Sequence, residues 1–78
     1  MNLTDKEAIS LRIRKCMARK RVTGYQVAKG TGINPVTVTR WLRGMTLPTI
    51  GHLQQLAEYF EVPFEYLALG KGGEDYGL

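Results

Sequence analysis

Residues 23–44 read TGYQVAKGTGINPVTVTRWLRG, and this stretch decides the fold. Thr23-Gly24-Tyr25-Gln26 has the Ser/Thr-x-x-Glu/Gln form of a capping box, in which two side chains satisfy orphan backbone N–H groups and open a helix. That helix should run to about Thr31. Gly32 then supplies a positive φ at no steric cost. Asn34-Pro35 restarts the chain, because asparagine is a strong N-cap and proline at the first helical position loses no needed hydrogen bond. The second helix is expected to extend through Arg43, with Gly44 as its left-handed terminator. Ala28 is small enough to let the two helices cross closely, and Val27, Ile33, Val38 and Trp41 close the apolar seam between them. Such a pair either builds a core as a plain αα-hairpin or, as a helix-turn-helix, lays its second helix in the major groove of DNA. Gly30 is unfavourable inside a helix by about 1 kcal/mol relative to alanine, which points to close packing or local fraying.

Working outward, Thr4-Asp5-Lys6-Glu7 repeats the capping-box form and should open helix 1. Ile9, Ile13, Cys16 and Met17 follow at helical spacing and give it one buried face, while Arg12, Arg14, Lys15 and Arg19 take the other. It should end near Lys20, where basic side chains suit the negative end of the helix dipole. Past Gly44, Met45-Thr46-Leu47-Pro48 is an extended connector. Helix 4 is expected from after Thr49 to Phe60 or Glu61, with Leu53, Leu56, Ala57 and Phe60 as its core stripe. Val62-Pro63 restarts a short helix 5, with Phe64, Tyr66, Leu67 and Leu69 as apolar candidates and Gly70 as its stop. Residues 71–78, KGGEDYGL, are glycine-rich and acidic and are expected to form a mobile tail. The fold class is therefore all-α, a compact five-helix bundle containing a helix-turn-helix, with residues 1–70 as the domain and 71–78 as the tail.

Charge is distributed unevenly along the 78 residues, whose net charge is +4. Arg12, Arg14, Lys15, Arg19, Lys20, Arg21, Lys29, Arg40 and Arg43 form a cationic block, and no acidic residue falls between Ala8 and Ala57. After Gly44 the balance reverses, with Glu58, Glu61, Glu65, Glu74 and Asp75 against Lys71. One cationic half is the electrostatic footprint of a polyanion partner; a solvated face or an anionic lipid surface is the alternative, though helix 1 needs its apolar face for the core. Cys16 is the lone cysteine, which excludes an internal disulfide and fits a reducing compartment. With Cys16 and His52 the only soft ligands, no zinc site is credible, and no nucleophile–base pair is present for catalysis. No apolar run exceeds Tyr66-Leu67-Ala68-Leu69, and the N-terminus, MNLTDKE, lacks the pattern of a signal peptide. The expectation is a cytoplasmic protein with no cofactor, no small-molecule substrate, no membrane contact and no enzymatic activity.

The order of helix 1, the Ala-Gly-Val-Trp hairpin, WLRG…LP, LQQLAEYFEVP and YLALG resembles the phage Cro/repressor-type, or XRE-like, helix-turn-helix family over residues 5–70. The resemblance implies the lambda-repressor-like fold and a sequence-specific transcriptional regulator of a phage, prophage or bacterium, often a repressor, bound as a homodimer to a palindromic double-stranded DNA operator. It assigns the groove-facing positions to Pro35, Val36, Thr39 and Arg40, and places Thr37 near the backbone and Arg43 on a phosphate. The sequence departs from the family at Gly24, where glutamine is favoured, and at Thr31, where an apolar residue is usual. Pro35 and Val36 also stand where polar readers are frequent.

The residues themselves agree. With Val38 and Trp41 inward, Val36, Thr39, Arg40 and Arg43 turn outward. Arg40 is suited to a bidentate bond with guanine O6 and N7, worth about 1–3 kcal/mol of discrimination. Val36 matches a thymine methyl, and Thr39 fits either a base edge or a phosphate. Arg43, Lys29 and the start of helix 2 would hold the backbone, and Arg19, Lys20 and Arg21 would add nonspecific attraction. Thr23 and Tyr25 divide between capping or packing and phosphate contact. A competing reading is an antitoxin-like or adaptor module that binds a protein through residues 64–69 and the acidic end.

Overall fold

The computed structural model describes residues 5–78. Five helices follow in the order α1 (Asp5–Lys20), α2 (Gly24–Thr31), α3 (Pro35–Leu42), α4 (Ile50–Phe60) and α5 (Phe64–Leu69), with a 3₁₀ turn at Glu74–Tyr76. Local chemistry sets most of the boundaries. Thr23 and Gln26 make the full capping box at the start of α2, and Gly32 ends that helix at φ 75°. Asn34 accepts from the Val36 N–H at 2.8 Å, with Pro35 as the first residue of α3. Thr49 accepts from the His52 N–H at 3.1 Å and opens α4. The capping box expected at Thr4 lies outside the described residues.

The C-terminal ends are closed by paired backbone bonds. On α3 these run from Gly44 N–H to Trp41 O and from Met45 N–H to Arg40 O, at 3.0 and 2.9 Å. The helix therefore stops at Leu42, one residue before its expected end, and Arg43 is its cap. The same closure on α1 and α4 puts non-glycine residues in the left-handed region, Arg21 at φ 59° and Glu61 at φ 57°.

The five helices enclose one core, with Ile13, Val27, Leu56 and Leu67 fully buried and Trp41 and Val38 nearly so. Cys16 belongs to it; burial pushes its thiol up to about 11, with Arg19 opposing. Tyr66, also buried, is raised by burial first and by Cys16 next, with Arg12 opposing. Gly30 resolves into close packing, because a Cβ there would lie 2.3 Å from Cε1 of Tyr59. The ring that fills this space makes an edge contact with Phe60 at 5.2 Å, and its hydroxyl donates to Gln26 O at 3.4 Å.

The basic face of α1 departs from expectation. Three of its arginines turn onto the C-terminal ends of three other helices, where orphan carbonyls and the negative dipole end attract them. Arg12 donates to Leu67 O and Ala68 O at the end of α5, at 3.1 and 3.3 Å. Arg14 donates to Leu42 O at the end of α3, through Nε at 3.0 Å and also through Nη2. Arg19 donates to Phe60 O at the end of α4 at 3.4 Å and to Tyr76 O at 3.0 Å, with its guanidinium 5.4 Å from the centre of the Tyr76 ring. Within residues 71–78, Tyr76 and Leu78 pack on the core. Gly73 makes this return possible, since a Cβ there would meet the Tyr66 ring at 2.5 Å.

Candidate nucleic-acid interface

The rotation of α3 is fixed by its two core residues. At about 100° per residue, Val38 and Trp41 define one side, and Val36, Thr39, Arg40 and Arg43 fall within a single arc on the other. All four of the latter are exposed, whereas Thr37, at the flank of that arc, is half-buried. Val36 leaves 56% of its surface open. Among the described residues, Arg40 and Arg43 make no hydrogen bond or ion pair.

Helix α2 stands beside this arc and packs chiefly on α3. Tyr25 and Lys29, one turn apart, line a shallow groove with Gly32, Asn34 and Pro35. Tyr25 is 68% exposed, so its ring is not part of the core. Lys29 is exposed and makes no hydrogen bond or ion pair among the described residues. Thr23 is differently engaged: its hydroxyl accepts from the Gln26 N–H at 3.2 Å, which favours the capping side of its two expected roles.

Arg43 is set apart from this group. It lies at the far end of α3, on a groove shared with Glu7, Ser10, Leu11 and Gly44. The other basic residues expected near the nucleic acid divide by element. Arg19 is committed to Phe60 O and Tyr76 O, and Lys20 sits 5.1 Å above the Tyr59 ring. Arg21 is exposed at the α1–α2 corner.

Two of the departures from the family pattern have structural causes. Gly24 lets the start of α2 come against α3; a Cβ there would stand 3.1 Å from Cδ1 of Leu42. Thr31 donates its hydroxyl to Val27 O at 2.7 Å and accepts from the Ile33 N–H at 3.3 Å, tying the end of α2 to the turn. The α1 residues facing α3 include one that sequence reasoning passed over: Ser10, 6% exposed, donates to Leu42 O at 2.9 Å. Its signal was its spacing, since Ser10 and Arg14 are one turn apart and share a helix face.

Of the surface assigned to the competing protein-binding reading, Tyr66 and Leu67 are core residues at 5% and 0% exposure, whereas Glu65, Leu69, Glu74 and Asp75 are exposed. Among the described residues, no group of three or more His, Cys, Asp or Glu could hold a metal ion, and no helix is long and apolar enough to cross a membrane.

Comparison with known proteins agrees with this geometry. The helix-turn-helix family model matches residues 13–67, from the middle of α1 to the buried part of α5. No curated protein and no solved structure matches the chain. The family match covers more than half of the chain and contains the whole α2–turn–α3 unit, and the chain accordingly belongs to the Cro/XRE-like helix-turn-helix family of DNA-binding transcription regulators.

Proposed function

We propose that this regulator reads a specific double-stranded DNA operator with α3 in the major groove. The observation that carries this reading is the contrast between the two sets of arginines: those of α1 are turned onto helix ends, while Arg40 stands exposed beside Thr39 and Val36 and, among the described residues, unpaired. Arg40 would donate two parallel bonds to guanine O6 and N7, Val36 and Pro35 would pack against thymine methyls, and Thr39 would bond a base edge. Lys29, Arg43 and Tyr25 would hold phosphates, together with the N-terminal backbone at Thr23 and the flank of α3 at Thr37. Such contacts fix register while the arc of α3 supplies sequence information.

Two copies bound to a palindrome would place two readers one helical turn of DNA apart. One surface open for pairing is the groove of Leu47, Pro48, Ala68 and Leu69, bordered by Asp5 and Arg12, in which Leu47 and Leu69 are 47% and 61% exposed. Bound across a promoter, a dimer would exclude polymerase, so repression is the mode we assign. The phage, prophage or bacterial setting follows from the family resemblance, and the lone Cys16 fits a reducing, cytoplasmic location.

The test is selection of bound sequences from a random double-stranded DNA pool. A palindromic consensus with half-sites about 10 base pairs apart, centre to centre, is expected. Recovery of no consensus, with equal affinity for every sequence, would remove the operator reading.

A further inference from the structure

The side chains of α1 that touch α3 converge on one atom. Leu42 is the last residue of α3, and its neighbours' carbonyls are already satisfied: Thr39 O by Arg43 N–H, Arg40 O by Met45 N–H and Trp41 O by Gly44 N–H. Leu42 O instead accepts from the Ser10 hydroxyl and from both Nε and Nη2 of Arg14. The same residue meets α2 through its side chain, whose Cδ1 lies 3.1 Å from the position a Gly24 Cβ would take. Leu42 is thus the point where α1, α2 and α3 join, and it follows Thr39 and Arg40 by less than one helical turn.

We propose that Ser10 and Arg14 are positioning residues for DNA reading, setting the tilt of α3 by tethering Leu42 O to α1. The inference rests on the operator reading above. A charged fork with two donors on one oxygen restricts direction as well as distance, and a hydroxyl from the preceding turn of α1 adds a third constraint. The Arg14 guanidinium serves here as an internal clamp and contributes no phosphate contact. A site held by such supporting bonds loses accuracy when they are removed, even if the fold survives.

The experiment compares Arg14→Ala and the double variant Ser10→Ala/Arg14→Ala with Arg19→Ala, which loses a clamp on the end of α4, away from α3. Affinities for the selected DNA and for random DNA are measured as a function of salt, with the melting temperature of each variant alongside. The tether predicts that Arg14→Ala lowers the selected-to-random ratio by about tenfold, comparable to losing one bidentate base contact, with an unchanged salt slope. Arg19→Ala should keep the ratio at a similar melting temperature. Amide exchange at Gly44 and Met45, whose N–H groups lock the end of α3, should quicken in Arg14→Ala and stay constant in Arg19→Ala. If Arg14→Ala does not fold, Arg14→Lys and Ser10→Ala carry the same readouts with smaller changes expected. An intact ratio in Arg14→Ala, an equal loss in Arg19→Ala, or a fall of about one unit in salt slope would each overturn the tether. Failure of the unaltered chain to select any sequence would instead remove the operator reading, and the exchange rates would still test the tether.

Discussion

Gly30→Ala sets two effects of opposite sign against each other. In the interior of an exposed helix, replacing glycine by alanine stabilises by about 1 kcal/mol, through lost backbone entropy in the unfolded chain and better helix propensity. The structure opposes that gain, because the new methyl would stand 2.3 Å from Tyr59 Cε1 and 3.0 Å from Cδ1. The ring is not free to swing aside. It is held by its edge contact with Phe60, by the hydroxyl bond to Gln26 O and by the Lys20 ammonium above its face. Overpacking of this kind costs about 1–3 kcal/mol, so the net effect should be destabilising by about 1 kcal/mol. In a domain of this size that lowers the melting temperature by about 4–8 °C. The assay is thermal and urea unfolding by circular dichroism of wild type, Gly30→Ala, Tyr59→Ala and the double variant. With the ring removed, alanine at position 30 should become stabilising by about 1 kcal/mol, giving a coupling near 2 kcal/mol in the cycle. A stabilising Gly30→Ala in the wild-type background, or effects that simply add, would refute the claim that Tyr59 makes glycine necessary.

The remaining predictions concern charge. Arg43→Ala should weaken binding to all DNA sequences and flatten the log–log salt dependence by about one unit, whereas Arg40→Ala should cost more on the selected sequence than on random DNA; salt titrations on both DNAs separate the two. Arg19→Ala should lower stability by about 1 kcal/mol through lost bonds to Phe60 O and Tyr76 O and leave the salt slope unchanged, as calorimetry and binding titrations can show. The Cys16 thiol ionises at about 11 in the fold against an ordinary 9.0. The neutral thiol is thus favoured by folding: its contribution is complete below pH 9 and is lost as pH rises toward 11, by on the order of 2 kcal/mol. Urea midpoints should accordingly fall more steeply over that range in wild type than in Cys16→Ala, and parallel declines would contradict the assignment.

What could be read from the sequence was what depends on neighbours in the chain. Thr23 with Gln26, Asn34 with Pro35, and Thr49 each form a cap within three residues, so the starts of α2, α3 and α4 were visible before any tertiary contact was known. The outward arc of α3 was equally legible, because burying Val38 and Trp41 leaves Val36, Thr39 and Arg40 only one side to occupy. The need for Gly30 was not, since its reason is a tyrosine on another helix. The left-handed Arg21 and Glu61 were hidden as well: their conformation comes from the closing bonds of α1 and α4, and nothing in an arginine or a glutamate advertises it. The destinations of Arg12, Arg14 and Arg19 also required the fold. A sequence shows cations on one helix face but not which carbonyl ends will be packed against them.

That last point changes how the basic composition is to be understood. The cationic block of the sequence invites a count of phosphate contacts equal to its charge, yet a guanidinium bonded to a helix end already has the acceptors that a phosphate would offer. Moving Arg12 or Arg19 to DNA would take donors from partly buried carbonyls at about 1–3 kcal/mol apiece, and moving Arg14 would leave Leu42 O to the Ser10 hydroxyl alone. Lys29, Arg40 and Arg43 face no such loss among the described residues, and they lie on the two helices of the reading unit. The fold thus divides Arg12, Arg14 and Arg19, bonded to helix ends, from the cations left exposed, among them Lys29, Arg40 and Arg43. The number of counterions released on binding should follow the second group alone, well short of the full basic block, and a measured salt slope approaching that full block would mean that α1 abandons its helix ends when the protein meets DNA.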